Sequence, residues 1–112
     1  VIEMRGFEPF AWIFQAVTGI VMVFLITAHF LATHANHELL SYETAVSRLG
    51  SFEYKVFYFF LLLFVTFHAF NGLRAIILDT EGGMRRRKAV NALILVIALV
   101  AFFYGAFLLS KF

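Results

Sequence analysis

The chain has 112 residues, of which 62% are hydrophobic and only 14% charged, with sixteen Phe and a single Pro. A soluble domain of this size exposes too much surface to be covered by so few polar groups, so a water-soluble globule is excluded. The net charge of +2 is small, no nucleic-acid partner is expected, and the absence of cysteine excludes disulfides and iron–sulfur ligation by this chain.

Residues Val1–Pro9 read as a short amphipathic entry, with Pro9 suited to the start of a helix. The first apolar run, Phe10–Ala32, carries polar Gln15 and Thr18 and is too long for the core of a cleaved signal. It is therefore expected to be retained as a span. Two further runs, Val56–Leu78 and Ala89–Leu109, contain no Lys, Arg, Asp or Glu except Arg74. Each of the three runs reaches the roughly 20 residues that cross a bilayer core of about 30 Å. The reading is a single all-α, integral-membrane domain of three helices, at about 10–34, 54–79 and 88–110.

Between the first two runs, Tyr42, Ala45, Val46 and Leu49 follow helical spacing, with Ser41 as N-cap and Gly50 as terminator. They predict a short surface helix over 41–49. The second span should end near Asp79, with Glu81-Gly82-Gly83 forming a turn. Five of the nine Lys/Arg (Arg74, Arg85, Arg86, Arg87 and Lys88) lie near or beyond the end of that span. With three spans the N-terminus shares this basic side, and the positive-inside rule places both in the cytoplasm; a prokaryotic cell membrane is the expected location. The same cluster suits contact with anionic lipid or a partner.

His29 and His68 lie inside apolar runs, where an imidazole is costly and marks a functional site by default. His29 falls fourteen residues after Gln15, roughly 21 Å further outward, and His68 eleven before Asp79, about 16 Å from the inner end. Axial ligands of one iron face each other at one depth, so these two cannot share an iron. As haem ligands, each needs a second histidine from another chain. The alternative is that each hydrogen-bonds to a neighbouring helix. Gly72, one turn from His68, would let a flat macrocycle or a second helix approach the backbone.

Near the inner face, Trp12, Gln15, Thr18, Asn71 and Arg74 form a polar layer fit for haem propionates or a quinone headgroup. Arg74 could equally snorkel to lipid phosphate, and Trp12 and Tyr104 could anchor at the interfaces. His34 and His37 add to His29 a sparse series better read as surface histidines than as a zinc site. No residue set points to hydrolytic or nucleotide chemistry.

The stretch Trp12-Ile13-Phe14-Gln15-Ala16-Val17-Thr18-Gly19, with His29 ten residues after the glycine, resembles helix one of the membrane-anchor cytochrome b subunits of succinate dehydrogenase and fumarate reductase. The segment Lys55-Val56-Phe57 through His68-Ala69-Phe70-Asn71-Gly72-Leu73-Arg74 to Asp79 is similar to that family's His-x-x-x-Gly helix and its closing aspartate. Tyr104-Gly105 adds a weak likeness in helix three. The resemblance implies that His68 ligates a haem b near the iron–sulfur subunit and His29 a second, outer haem of the dihaem type. It also implies that Trp12 and Gln15 lie near the inner propionates. The chain would then be half of a two-subunit haem-binding bundle. A second small anchor subunit, an iron–sulfur subunit and a flavoprotein would accompany it, with quinone as substrate. Two features depart from the single-haem pattern: Gln15-Ala16 stands where a basic residue is expected, and Thr80 where a quinone-site tyrosine follows the aspartate. The rival readings are a haem-free structural anchor and a cytochrome b subunit of another membrane dehydrogenase.

Overall fold

The computed structural model describes residues 8–112; the expected amphipathic entry falls largely outside them. Three long helices dominate: α1 (Glu8–Thr33), α3 (Phe52–Leu78) and α5 (Arg87–Ser110). All three are long and apolar enough to cross a membrane. Between α1 and α3 lie a 3-10 turn (His37–Leu40) and α2 (Tyr42–Gly50), and α4 (Glu81–Arg85) joins α3 to α5. No strand occurs among the described residues. The fold is all-α, as composition and run length dictate.

Capping chemistry sets the boundaries of the short elements. Ser41 caps α2, its hydroxyl accepting from the Thr44 amide at 3.1 Å. The surface helix is thus present, shifted by one residue because Ser41 is the cap and not the first helical position. Asp79 closes α3 as expected. The Glu81-Gly82-Gly83 turn is tighter than expected and forms the helical turn α4. Thr80 makes it possible by accepting from Gly83 N at 2.9 Å while donating to Ile77 O at 2.7 Å. A Cβ on Gly83 would lie 1.9 Å from the Ile77 carbonyl oxygen, so only glycine fits this reversal.

Helix α3 is the centre of the fold, packed against α1 on one side and α5 on the other, with little direct contact between those two. The interior is polar and the exterior greasy. Ala11 and Ile94 are the buried apolar residues, whereas Thr18, Thr33, Asn71, Arg74 and Asn91 are buried polar ones. Phe, Leu, Ile and Val side chains stand exposed along all three long helices. Lipid tails are as apolar as leucine, so helices in a bilayer gain little by hiding leucine from them; close backbone approach and interhelical hydrogen bonds hold them instead. Small residues permit that approach. A Cβ on Gly72 would lie 2.9 Å from Gln15 Nε2, and one on Gly105 2.9 Å from Leu62 Cδ2. At the end away from α4 the α3–α5 seam is aromatic, with Phe59 and Phe102 edge-to-face at 5.7 Å.

Candidate functional site

The antiparallel pairing of α1 and α3 brings their polar residues together in reverse order, building two sites at different depths. At the end of the bundle that carries α4, termed the inner end, Arg74 of α3 is only 7% exposed. Its Nε donates to Asn91 Oδ1 of α5 at 2.6 Å, and its terminal nitrogens pair with the Glu8 carboxylate of α1. One guanidinium therefore ties all three spans. Neither snorkelling nor a vacant side chain describes it: the five donors of arginine in a planar fork suit a group that must serve two partners at once. Sequence reasoning missed Asn91 and Glu8 as its partners. The available signal was that each is the lone amide or carboxylate at a span's inner margin.

One turn outward, Asn71 Nδ2 donates to Gln15 Oε1 at 2.9 Å and to Ala11 O at 3.3 Å, while Gln15 Nε2 donates to His68 O at 3.1 Å. These bonds fix the register of α1 on α3. Gly72 faces Gln15, so its missing side chain serves this helix contact. Trp12 belongs to the same stretch of α1 but points away, 73% exposed. The expected layer thus divides: Gln15, Thr18 and Asn71 converge on the His68 region, Arg74 lies further inward, and Trp12 faces outward.

His68 is half-buried and lies across Gly19, where an added Cβ would come within 3.1 Å of its Cε1. Its Nδ1 lies 3.2 Å from Thr18 Oγ1. Its Nε2 makes no hydrogen bond to any described residue and is not sealed within the chain. A glycine at position 19 is what lets α1 approach the Cε1 edge of the imidazole.

The outer site is built differently. His29 lies eleven residues beyond Thr18 on α1, about 16 Å along the axis at ~1.5 Å per residue. The two imidazoles therefore occupy separate levels. His29 packs edge-on against Tyr58 (5.4 Å between centroids) and against His34 (6.2 Å). With Thr33, Leu39, Leu40, Ala45, Arg48 and Leu49 these residues line a cavity of about 320 Å³. Arg48 of α2 donates to Tyr58 Oη at 3.1 Å and reaches Ala32 O at 3.5 Å, pinning the surface helix to both neighbouring spans. His29 Nδ1 is buried without a hydrogen-bond partner among the described residues. A buried polar atom with no partner is expensive. His34 is exposed, bonded to Thr33 and stacked on Phe30; His37 is exposed in the 3-10 turn. Among the described residues no three His, Cys, Asp or Glu side chains converge as a metal cage.

Comparison with known proteins agrees with this architecture. Residues 6–107 match the model of the succinate dehydrogenase/fumarate reductase transmembrane subunit family. The succinate dehydrogenase hydrophobic membrane anchor subunit of Archaeoglobus fulgidus is 53% identical over 103 residues, covering 91% of this chain and 88% of that protein. The subunit of the same name from Thermoplasma acidophilum is 25% identical over 96 residues, covering 84% and 78%. With three candidate spans and a family match over nearly its whole length, the chain is a multi-pass membrane protein of the succinate dehydrogenase/fumarate reductase transmembrane subunit family.

Proposed function

We propose that this chain is a haem b-binding anchor subunit of a succinate:quinone oxidoreductase. It would lie beside a second small anchor subunit in a prokaryotic cell membrane, N-terminus in the cytoplasm. An iron–sulfur subunit and a flavoprotein would dock on the cytoplasmic face, where Arg85–Lys88 lie exposed. One observation carries the reading. Two half-buried imidazoles sit at levels about 16 Å apart, and each has a ring nitrogen left unpaired among the described residues. An intramembrane histidine that served only to join these helices would have both nitrogens accounted for within the bundle.

The residues present fit haem b. His68 would ligate the inner haem through Nε2, with its opposite nitrogen held by Thr18. His29 would ligate the outer haem, and each iron would take its other histidine from the partner subunit. Bound haem b supplies a one-electron store between the iron–sulfur clusters and membrane quinone. Around it the chain supplies orientation and a low dielectric. Gly19 brings the α1 backbone against the His68 ring, and Gln15 and Asn71 lock α1 to α3 beside it. Trp12 and Arg74 are the candidates for the inner propionates. Arg74 would serve by exchanging the half-exposed Glu8 carboxylate for a propionate of the same charge. A quinone headgroup would find its donors in the same cytoplasmic layer.

The test is to add succinate to the purified complex under anaerobic conditions. Reduction of b-type haem, followed by reoxidation on adding a quinone, is the expected result. Haem that is present but never reduced by succinate would point to service with a different dehydrogenase, and a complex that turns over without haem would leave a structural anchor.

A further inference from the structure

We propose that Thr18 is a positioning residue that fixes the tautomer of His68 and thereby sets the reduction potential of the inner haem; this rests on the haem-binding reading above. The argument is a count of protons. A threonine hydroxyl has one hydrogen to give. Thr18 Oγ1 lies 2.6 Å from Phe14 O and 3.2 Å from Gln15 O, and a carbonyl oxygen can only accept. The hydroxyl hydrogen is therefore committed to the helix's own backbone, Phe14 O first. At 3.2 Å from His68 Nδ1, Oγ1 then has only lone pairs to offer. The bond must run from His68 Nδ1–H to Thr18 Oγ1.

A neutral imidazole carries one N–H, so a proton on Nδ1 leaves the lone pair on Nε2. That is the nitrogen with no partner among the described residues, and the one left for an iron. Gly19 lets α1 close on the Cε1 edge of the ring, where a would-be Cβ lies only 3.1 Å from Cε1. Thr18 itself is 4% exposed, so water does not compete for the bond. Donation from Thr18 to Phe14 O polarises the hydroxyl and makes Oγ1 a better acceptor. A ligating histidine whose other N–H is donated becomes more basic, which favours the more highly charged ferric state. Loss of the acceptor should raise the potential. His29 has no such acceptor among the described residues, so its haem serves as an internal control.

The experiment is an optical redox titration of the intact membrane complex carrying Thr18→Val, Thr18→Ser or Thr18→Cys, with haem content measured in parallel. Thr18→Val should raise the potential of the inner haem and leave the outer haem unmoved, Thr18→Ser should restore the native value, and Thr18→Cys, a poorer acceptor of similar size, should fall between them. Loss of the inner haem alone from an assembled Thr18→Val complex, with retention in Thr18→Ser, also supports the assignment. Full haem with an unmoved potential in Thr18→Val overturns it; if that variant does not assemble, an unmoved potential in Thr18→Cys does so. A haem-free wild-type complex would instead remove the functional reading on which the inference stands.

Discussion

The two histidine sites differ in how much of each is finished within this chain. Around His68, bonds from α1 fix the helix register, a glycine admits close approach at the ring's Cε1 edge, and Thr18 occupies one nitrogen. Around His29 there are aromatic rings, a cavity and an arginine-pinned surface helix, but neither ring nitrogen has a partner among the described residues. The inner site is organised before anything binds, so a ligand there need not order the ring on arrival. The outer site leaves that ordering to its ligand or to the neighbouring subunit. Preorganisation on one side and dependence on the other give the comparison measurable consequences.

The largest expected effects come from removing the imidazoles. His68→Ala should abolish the inner haem's contribution to the reduced-minus-oxidised spectrum while the outer one remains, and His29→Ala should do the reverse. If both bands survive His29→Ala, helix α1 merely packs at its outer end, and His29 is not a haem ligand. Between the two sites, the outer haem should be lost first on partial denaturation, followed as sequential bleaching of the two bands.

The Arg74 clasp comes next in size. Arg74→Ala strips Asn91 and Glu8 of a charged partner at the inner end, and removal of such bonds costs roughly 1.5–3 kcal/mol each when buried. A lower thermal midpoint of the purified complex, with the inner haem more affected than the outer, is the expected outcome. Glu8→Gln should do less, because that side chain is half-exposed and its pairing is weakened by solvent. The smallest effect is expected of Tyr58→Phe. It removes a single Arg48 bond worth about 1 kcal/mol, loosening α2 and shifting only the outer haem's band or potential.

The spans were legible because bilayer thickness imposes one length on every crossing helix, and no soluble fold mimics three such runs. The separate depths of His29 and His68 were legible for the same reason: helical rise converts residue number to height. Ser41 and Asp79 announced themselves by chemistry tied to helix ends. Arg74 was harder. Its buried partners Asn91 and Glu8 are distant in sequence, and periodicity carries no information about which faces of α1 and α5 meet α3. The Glu81-Gly82-Gly83 segment read as an open turn because two glycines disfavour helix; the Thr80 cap and the crowding of Gly83 under Ile77 override that preference. Gly72 was ambiguous between a macrocycle and a helix, and only the position of Gln15 shows which neighbour it meets. Thr18 was visible as a polar residue, but its tie to His68 depends on rotation of α1 that no spacing rule supplies.

The most direct test of the central claim is the haem-to-chain ratio of the intact purified complex, measured by pyridine haemochrome against protein determined by amino-acid analysis. Two haems b for each copy of this chain is the predicted result. A complex that is fully assembled and active but contains no haem would contradict it.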